Sequence, residues 1–276
     1  MVVMLSLGAA LLAGTSDFLG GLASRRAAAL VVTAASQLFS MVAAFVLALI
    51  VGGDVVARDL WLGALGGVGA ALGLLSLYAG YSVARVSVAA PVAGVGAAAL
   101  PVLFDLATGG DLVMRAGAGI TLGLVAIALI SLERSDSTAS VGVSLRYGFG
   151  GAIGLGALLL CLSRTSDDGG LWAVVPSRVT GGLVMLIVLA ITRTNFRLPR
   201  VALAPVLGIA VFGACANSMF VVATQIGSVS TAAVLTSMFP AATVMWARLI
   251  FGERLRRVQV LGLGFALVAV GLIASV

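Results

Sequence analysis

The sequence predicts an all-α integral membrane protein, with ten transmembrane helices arranged as two inverted five-helix repeats. Three observations lead there. Hydrophobic residues make up 61% of the chain and charged residues only 9%, with 36 glycines among 276 residues, a composition outside the range of soluble globular domains. Apolar windows of about 20 residues, the length that crosses about 30 Å of hydrocarbon, recur along the whole chain. The segment from Val86 to Ile130 is repeated without a gap from Val229 to Ile273, 143 residues later, with 15 of 45 positions identical. A composition this biased gives about four or five such matches by chance, so the two segments mark a duplication.

The first span, 2–22, has no basic segment before it, contains Asp17 and is followed at once by more apolar sequence, so it reads as a helix rather than a cleaved signal. The second, 29–51, holds Gln37. The third, 60–80, carries Gly63/Gly67 and Gly69/Gly73 and ends near Tyr78. A spacing of four puts both glycines of a pair on one helix face and lets another backbone approach, either within the chain or in a homodimer. The fourth span, 87–107, opens the repeat and holds Pro91 and Pro101. The fifth, 116–132, is short and carries Gly119/Gly123. The polar stretch 133–146, ERSDSTASVGVSLR, falls at the midpoint and is read as the linker between residues 1–138 and 139–276. The sixth span, 147–163, contains Gly150/Gly154, and the seventh, 172–192, begins at Trp172 and includes Pro176 and Arg178. The eighth, 201–224, holds Asn217, the ninth, 231–251, centres on Pro240, and the tenth is 257–275. Five spans per half is an odd number, which turns the second half upside down and leaves a cavity near the midplane.

Charge placement excludes several functions. All 16 basic residues are arginine and the net charge is +6, yet the arginines stand singly or in small groups beside spans, as topology determinants do, and nucleic-acid binding is not expected. The odd-numbered connections hold eleven of them (25, 26, 85, 134, 146, 193, 197, 200, 254, 256, 257) and the opposite face three (58, 115, 164) together with Asp54, Asp59, Asp111, Asp167 and Asp168. The positive-inside rule then makes the arginine-rich ends cytoplasmic and both termini external. Histidine is absent, and Cys161 and Cys215 fall inside spans as small hydrophobes, so neither a metal nor a cofactor is expected. The absence of G-x-S-x-G and H-E-x-x-H argues against an enzyme. The absence of lysine and of a G-x-x-x-x-G-K-[ST] loop leaves gradients or exchange, not ATP, to drive any transport.

From Ser228 to Ile273 the chain reads SVSTAAVLTSMFPAATVMWARLIFGERLRRVQVLGLGFALVAVGLI. This closely resembles the repeat of EamA-type transporters in the drug/metabolite transporter superfamily: a small-residue helix with a central proline (Pro240), a Gly-Glu-x-Leu turn (Gly252, Glu253, Arg254, Leu255), then Gln259 and Gly262 opening the last helix. The opening GTSDFLGGLASRR, Gly14 to Arg26, is similar to the first helix of bacterial members. The first copy departs from the motif, with Gly110 and Asp111 where Gly-Glu is expected and its proline at Pro91 or Pro101. The resemblance implies a multi-pass bacterial plasma-membrane protein that exports or exchanges small metabolites or drugs. A lipid-linked flippase-type carrier or a non-transporting membrane scaffold is the alternative.

The candidate residues are those whose presence inside a span is costly. A carboxylate there costs several kcal/mol unless it is neutral, paired or facing water. The resemblance to small multidrug transporters, whose first-helix acid binds protons and cations in competition, implies a coupling role for Asp17; a structural hydrogen bond near the interface is the other reading. Arg178 either snorkels to the interface or recognises a carboxylate or phosphate of the substrate. Counting from span ends puts Asp17 and Arg178 at different depths, which disfavours a direct pair and matches Asp105 better to Arg178. Gln37, Tyr78, Trp172 and Asn217 are the neutral polar candidates, with Tyr78 and Trp172 also fitting interfacial aromatic belts. Pro91, Pro101, Pro176 and Pro240 each delete a helical hydrogen bond if interior, so they predict kinks, static or hinge-like. Glu253 reads most simply as part of a solvated charge cluster.

Overall fold

The computed structural model describes residues 1–84, 86–107, 141–227, 235–251 and 257–274, together with 118, 121, 122, 125, 126 and 232. Among the described residues all regular structure is helical. In chain order the elements are α1 (Val2–Ser24), α2 (Ala29–Val51), α3 (Ala57–Val83), α4 (Val86–Ala107), α5 (Val141–Leu162), a 3₁₀ turn (Asp167–Gly169), α6 (Val174–Ile191), α7 (Arg200–Ile226), α8 (Phe239–Phe251) and α9 (Arg257–Ala274). Among the described residues six helices, α1, α2, α3, α5, α6 and α7, are long and apolar enough to cross a membrane. Their outward faces leave Leu49, Trp61, Ile153, Ile187 and Ile191 exposed, an arrangement that lipid tails tolerate because they are as apolar as leucine.

Helix α5 starts at Val141, so the last six residues of the expected linker are helical. A hydropathy window marks where hydrocarbon ends, whereas a helix keeps its own backbone bonds as it runs on into water. The rest of that linker and most of the fifth expected span, including Gly119 and Gly123, lie outside the described residues. The ninth expected span is not one continuous helix. Ser237 and Met238 form a turn, with Met238 N–H donating to Leu235 O at 3.2 Å and Ala241 N–H to Met238 O at 3.0 Å, and α8 starts afresh at Phe239.

Pro240 is thus the second residue of α8, and Pro176 is the third of α6. In a first turn the missing N–H deletes no intrahelical bond, which corrects the expectation of an interior loss at these two prolines. Pro91 lies well inside α4. A further interior proline, Pro205 of α7, escaped the sequence reading. Its missing N–H releases the carbonyl of Val201, and the Arg26 Nη1 donates to that oxygen at 3.2 Å.

Packing runs mainly between the two halves of the chain. Helix α3 lies on α5 and α6, α1 on α7 and α8, α2 on α6 and α7, and α4 on α5. The glycine pairs make this possible. A Cβ at Gly67 would stand 2.2 Å from Ser177 O, and one at Gly154 would stand 2.5 Å from the Cα of Gly73. The glycines of α3 and α5 therefore serve contacts inside the chain.

Two ends follow from these contacts. Gly227 abuts Val2, Gly53 abuts Gly170, and Gln225 Nε2 donates to Gly170 O at 2.9 Å, so the start of α1, the ends of α2, α5 and α7, and the starts of α3 and α6 share one end. The other end gathers Arg25 and Arg26 beside the start of α7, close to Arg193, Arg197 and Arg200 in sequence.

Candidate functional site

Between the halves lies a cavity of about 70 Å³, room for about five waters. Three helices each turn one face toward it. Ala13, Ser16 and Asp17 of α1 and Gly213, Ala216 and Asn217 of α7 follow i, i+3, i+4 spacing, and Ser36, Gln37 and Ser40 of α2 lie within one turn of each other. Arg178 enters from α6, and Thr236 and Phe239 line the wall where α8 begins. Leu74, Leu155, Leu158 and Ile209 supply apolar surface.

Arg178 is 5% exposed and its first partners are neutral. Its Nη1 donates to Gln37 Oε1 at 3.0 Å and its Nη2 to Gly213 O at 2.9 Å. Gly181, three residues along α6, makes room for Gln37, because a Cβ there would fall 2.2 Å from Gln37 Nε2. Nearby hydroxyls use α7 as well: Ser16 Oγ donates to Ile209 O at 3.3 Å and Ser40 Oγ to Ala210 O at 3.0 Å. What remains is a set of buried donors. Arg178 Nε, Gln37 Nε2, Asn217 Nδ2 and Thr236 Oγ1 have no hydrogen-bond partner among the described residues.

The sequence candidates divide. Asp17, Gln37, Arg178 and Asn217 line one cavity. Asp17 and Arg178 share it without pairing, each coming from a different half. Tyr78 is fully buried inside the fold, away from any interfacial belt, and is not among the cavity-lining residues; its ring lies against Gly20, where a Cβ would stand 2.1 Å from Cε1. Trp172 lies away from the cavity, donating from Nε1 to Gly53 O at 3.1 Å with its ring edge-on to Phe45. Pro240 follows Phe239 at the start of α8, and Pro91 is buried in α4. Gly252, Glu253 and the side chain of Asp105 lie outside the described residues.

Sequence reading missed Ser16, Ser36, Ser40, Thr236 and a second polar cluster at the arginine-poor end. There Asp59, 1% exposed in the first turn of α3, accepts from Ser166 N–H at 3.1 Å and from the Ser166 hydroxyl. Asp54 N–H donates to Asp168 O at 2.8 Å, and Gln225 joins through Gly170 O. The close approach of Gly53 (φ 111°) and Gly170 (φ 52°) needs both a left-handed backbone and no side chain. A polar i, i+1, i+4 group in an apolar span, Ser36, Gln37 and Ser40, was the available signal for α2.

Against known proteins, the profile of the EamA-like transporter family matches residues 144–275. A solved crystal structure of a protein superposes with a TM-score of 0.69 over 98% of this chain and 95% of its own, at 12% identity, and so shares the fold. No curated protein matches the chain. The matched segment runs from the start of α5 through α9 and includes Arg178, Asn217 and the break before α8. Residues 144–275, the second half of the chain, thus match the EamA-like transporter family, and that match supports a membrane transporter of the drug/metabolite transporter superfamily.

Proposed function

We propose that the chain is a secondary transporter that exports or exchanges small organic solutes across a bacterial plasma membrane by alternating access. The observation that carries this reading is the cavity itself, in which Asp17 and Gln37 of the first half face Arg178 and Asn217 of the second. A scaffold has no use for such costly groups at that depth. The packing also supports ten spans in two inverted repeats, residues 1–138 and 139–276: the third span lies on the sixth as the eighth lies on the first, the exchange that an inverted pair requires. Rocking of these surfaces would expose the cavity to either side. On the positive-inside rule the arginine-rich end is cytoplasmic, and the Asp59 cluster then closes the outer end.

In this reading Asp17 is the coupling group, taking up a proton or cation as solute leaves. The described lining of the cavity comes from a single chain. Solute flux in proteoliposomes under an imposed pH gradient tests the proposal. Asp17→Asn is expected to lose gradient-driven flux while keeping solute exchange. Gradient-driven flux equal to the unaltered chain removes the coupling role, and no flux across a broad panel of metabolites removes the transporter reading.

A further inference from the structure

Arg178 holds a fixed positive charge in the middle of an apolar fold, since a guanidinium does not deprotonate. Burying such a charge is tolerated only with a counter-charge, water or a ligand. Its two bonded acceptors, Gln37 Oε1 and Gly213 O, are both neutral. Of its five N–H groups, two are thus engaged, and Nε, which lies on the side-on edge of the fork, has no partner. The unpartnered groups around it are donors as well: Gln37 Nε2, Asn217 Nδ2 and the Thr236 hydroxyl. All four residues line the cavity.

We infer that Arg178 anchors an anion subsite that takes a carboxylate, with Gln37, Asn217 and Thr236 as flanking donors. This rests on the transporter reading and names the chemistry of its cargo. A carboxylate fits for two reasons. Its two oxygens match a side-on guanidinium edge, and it brings only one negative charge into a cavity that holds Asp17 beside Arg178. A phosphate dianion would leave excess negative charge in a cavity that already contains Asp17. The carboxylate belongs to the carried solute or, on the same chemistry, a small free anion occupies the subsite.

The test is calorimetric binding to the purified full chain in detergent, with sodium butyrate, its neutral counterpart butyramide, and chloride as a competitor. Butyrate is expected to bind at least tenfold more tightly than butyramide, and Arg178→Gln to lose at least tenfold of the butyrate affinity. Arg178→Lys, which keeps the charge without the fork, is expected to fall between, and a thermal melt of each variant shows that it folds. Displacement of butyrate by chloride assigns the subsite to free anions, and its failure to displace assigns it to the solute's carboxylate. No butyrate binding by the unaltered chain, equal binding of acid and amide, or full affinity in Arg178→Gln overturns the inference. Binding without proteoliposome flux sinks the transporter reading alone. Flux of a cationic probe such as ethidium, unchanged in Arg178→Gln and with no butyrate binding, sinks the subsite alone.

Discussion

Two buried polar regions sit at different levels of this fold, and they solve the same problem in opposite ways. At the arginine-poor end Asp59, Ser166, Gln225 and Trp172 find their acceptors and donors within the chain. In the cavity Arg178, Gln37, Asn217 and Thr236 keep donors with no such partner. An unsatisfied buried donor costs about 1 to 3 kcal/mol, so leaving four of them around one space is sustainable only if something else enters it. The satisfied cluster holds the fold closed; the unsatisfied one is built to receive.

Substitutions can break or sharpen that contrast. The largest effect is expected for Arg178→Gln: solute flux in proteoliposomes falls about a hundredfold, the weight of a charge-assisted pair of hydrogen bonds, while the melting temperature in detergent changes little. A large drop in melting temperature with normal flux would make Arg178 a structural strut and erase the contrast. Next is Asp59→Ala, which strands the Ser166 N–H and hydroxyl and is expected to cost about 2 kcal/mol, seen as a lower denaturation midpoint. Butyrate affinity in that variant should stay within a factor of two or so of the unaltered chain, because Asp59 is remote from the cavity walls. Gln225→Leu should cost about 1 kcal/mol by the same measurement, through the lost bond to Gly170 O. The smallest effect belongs to Trp172→Phe, about 0.5 kcal/mol, since the ring still packs on Phe45 and only the bond to Gly53 O is lost. A change in butyrate affinity in either of these last two variants would show that the two regions are not separate.

How much of this was legible in the sequence depends on the length scale of the cause. Spans are legible because the bilayer demands about 20 apolar residues, and the described helices α1 to α4 begin within a few residues of the expected places. Glycine spacing announced close helix approach, and the structure supplies the partners at Gly67 and Gly154. The break before α8 was legible only as the kink expected at Pro240; its form was not, because hydropathy carries no record of which backbone bonds are i to i−3. For the site, residue type was enough to single out Asp17, Gln37, Arg178 and Asn217, each conspicuous against a lipid background. Counting from span ends could not reveal that Gln37 would tether Arg178, since that contact is set by α2 lying on α6. Asp59 looked like an ordinary loop acid because its burial is produced by a loop more than a hundred residues away, which no local pattern encodes.

The crossing of partners between halves also sets a timetable for synthesis. Helix α1 leaves the ribosome with Asp17 already in place, but its main partner α7 begins only at Arg200. At about 5 to 20 residues per second that is roughly ten to thirty seconds of waiting. During that interval the first helices are inserted but have no finished bundle to join, and Gln37 has no arginine to hold. The nascent chain is therefore most vulnerable to membrane proteases in mid-synthesis, and a pause engineered before Arg200 should lower yield more than the same pause placed after Ile226.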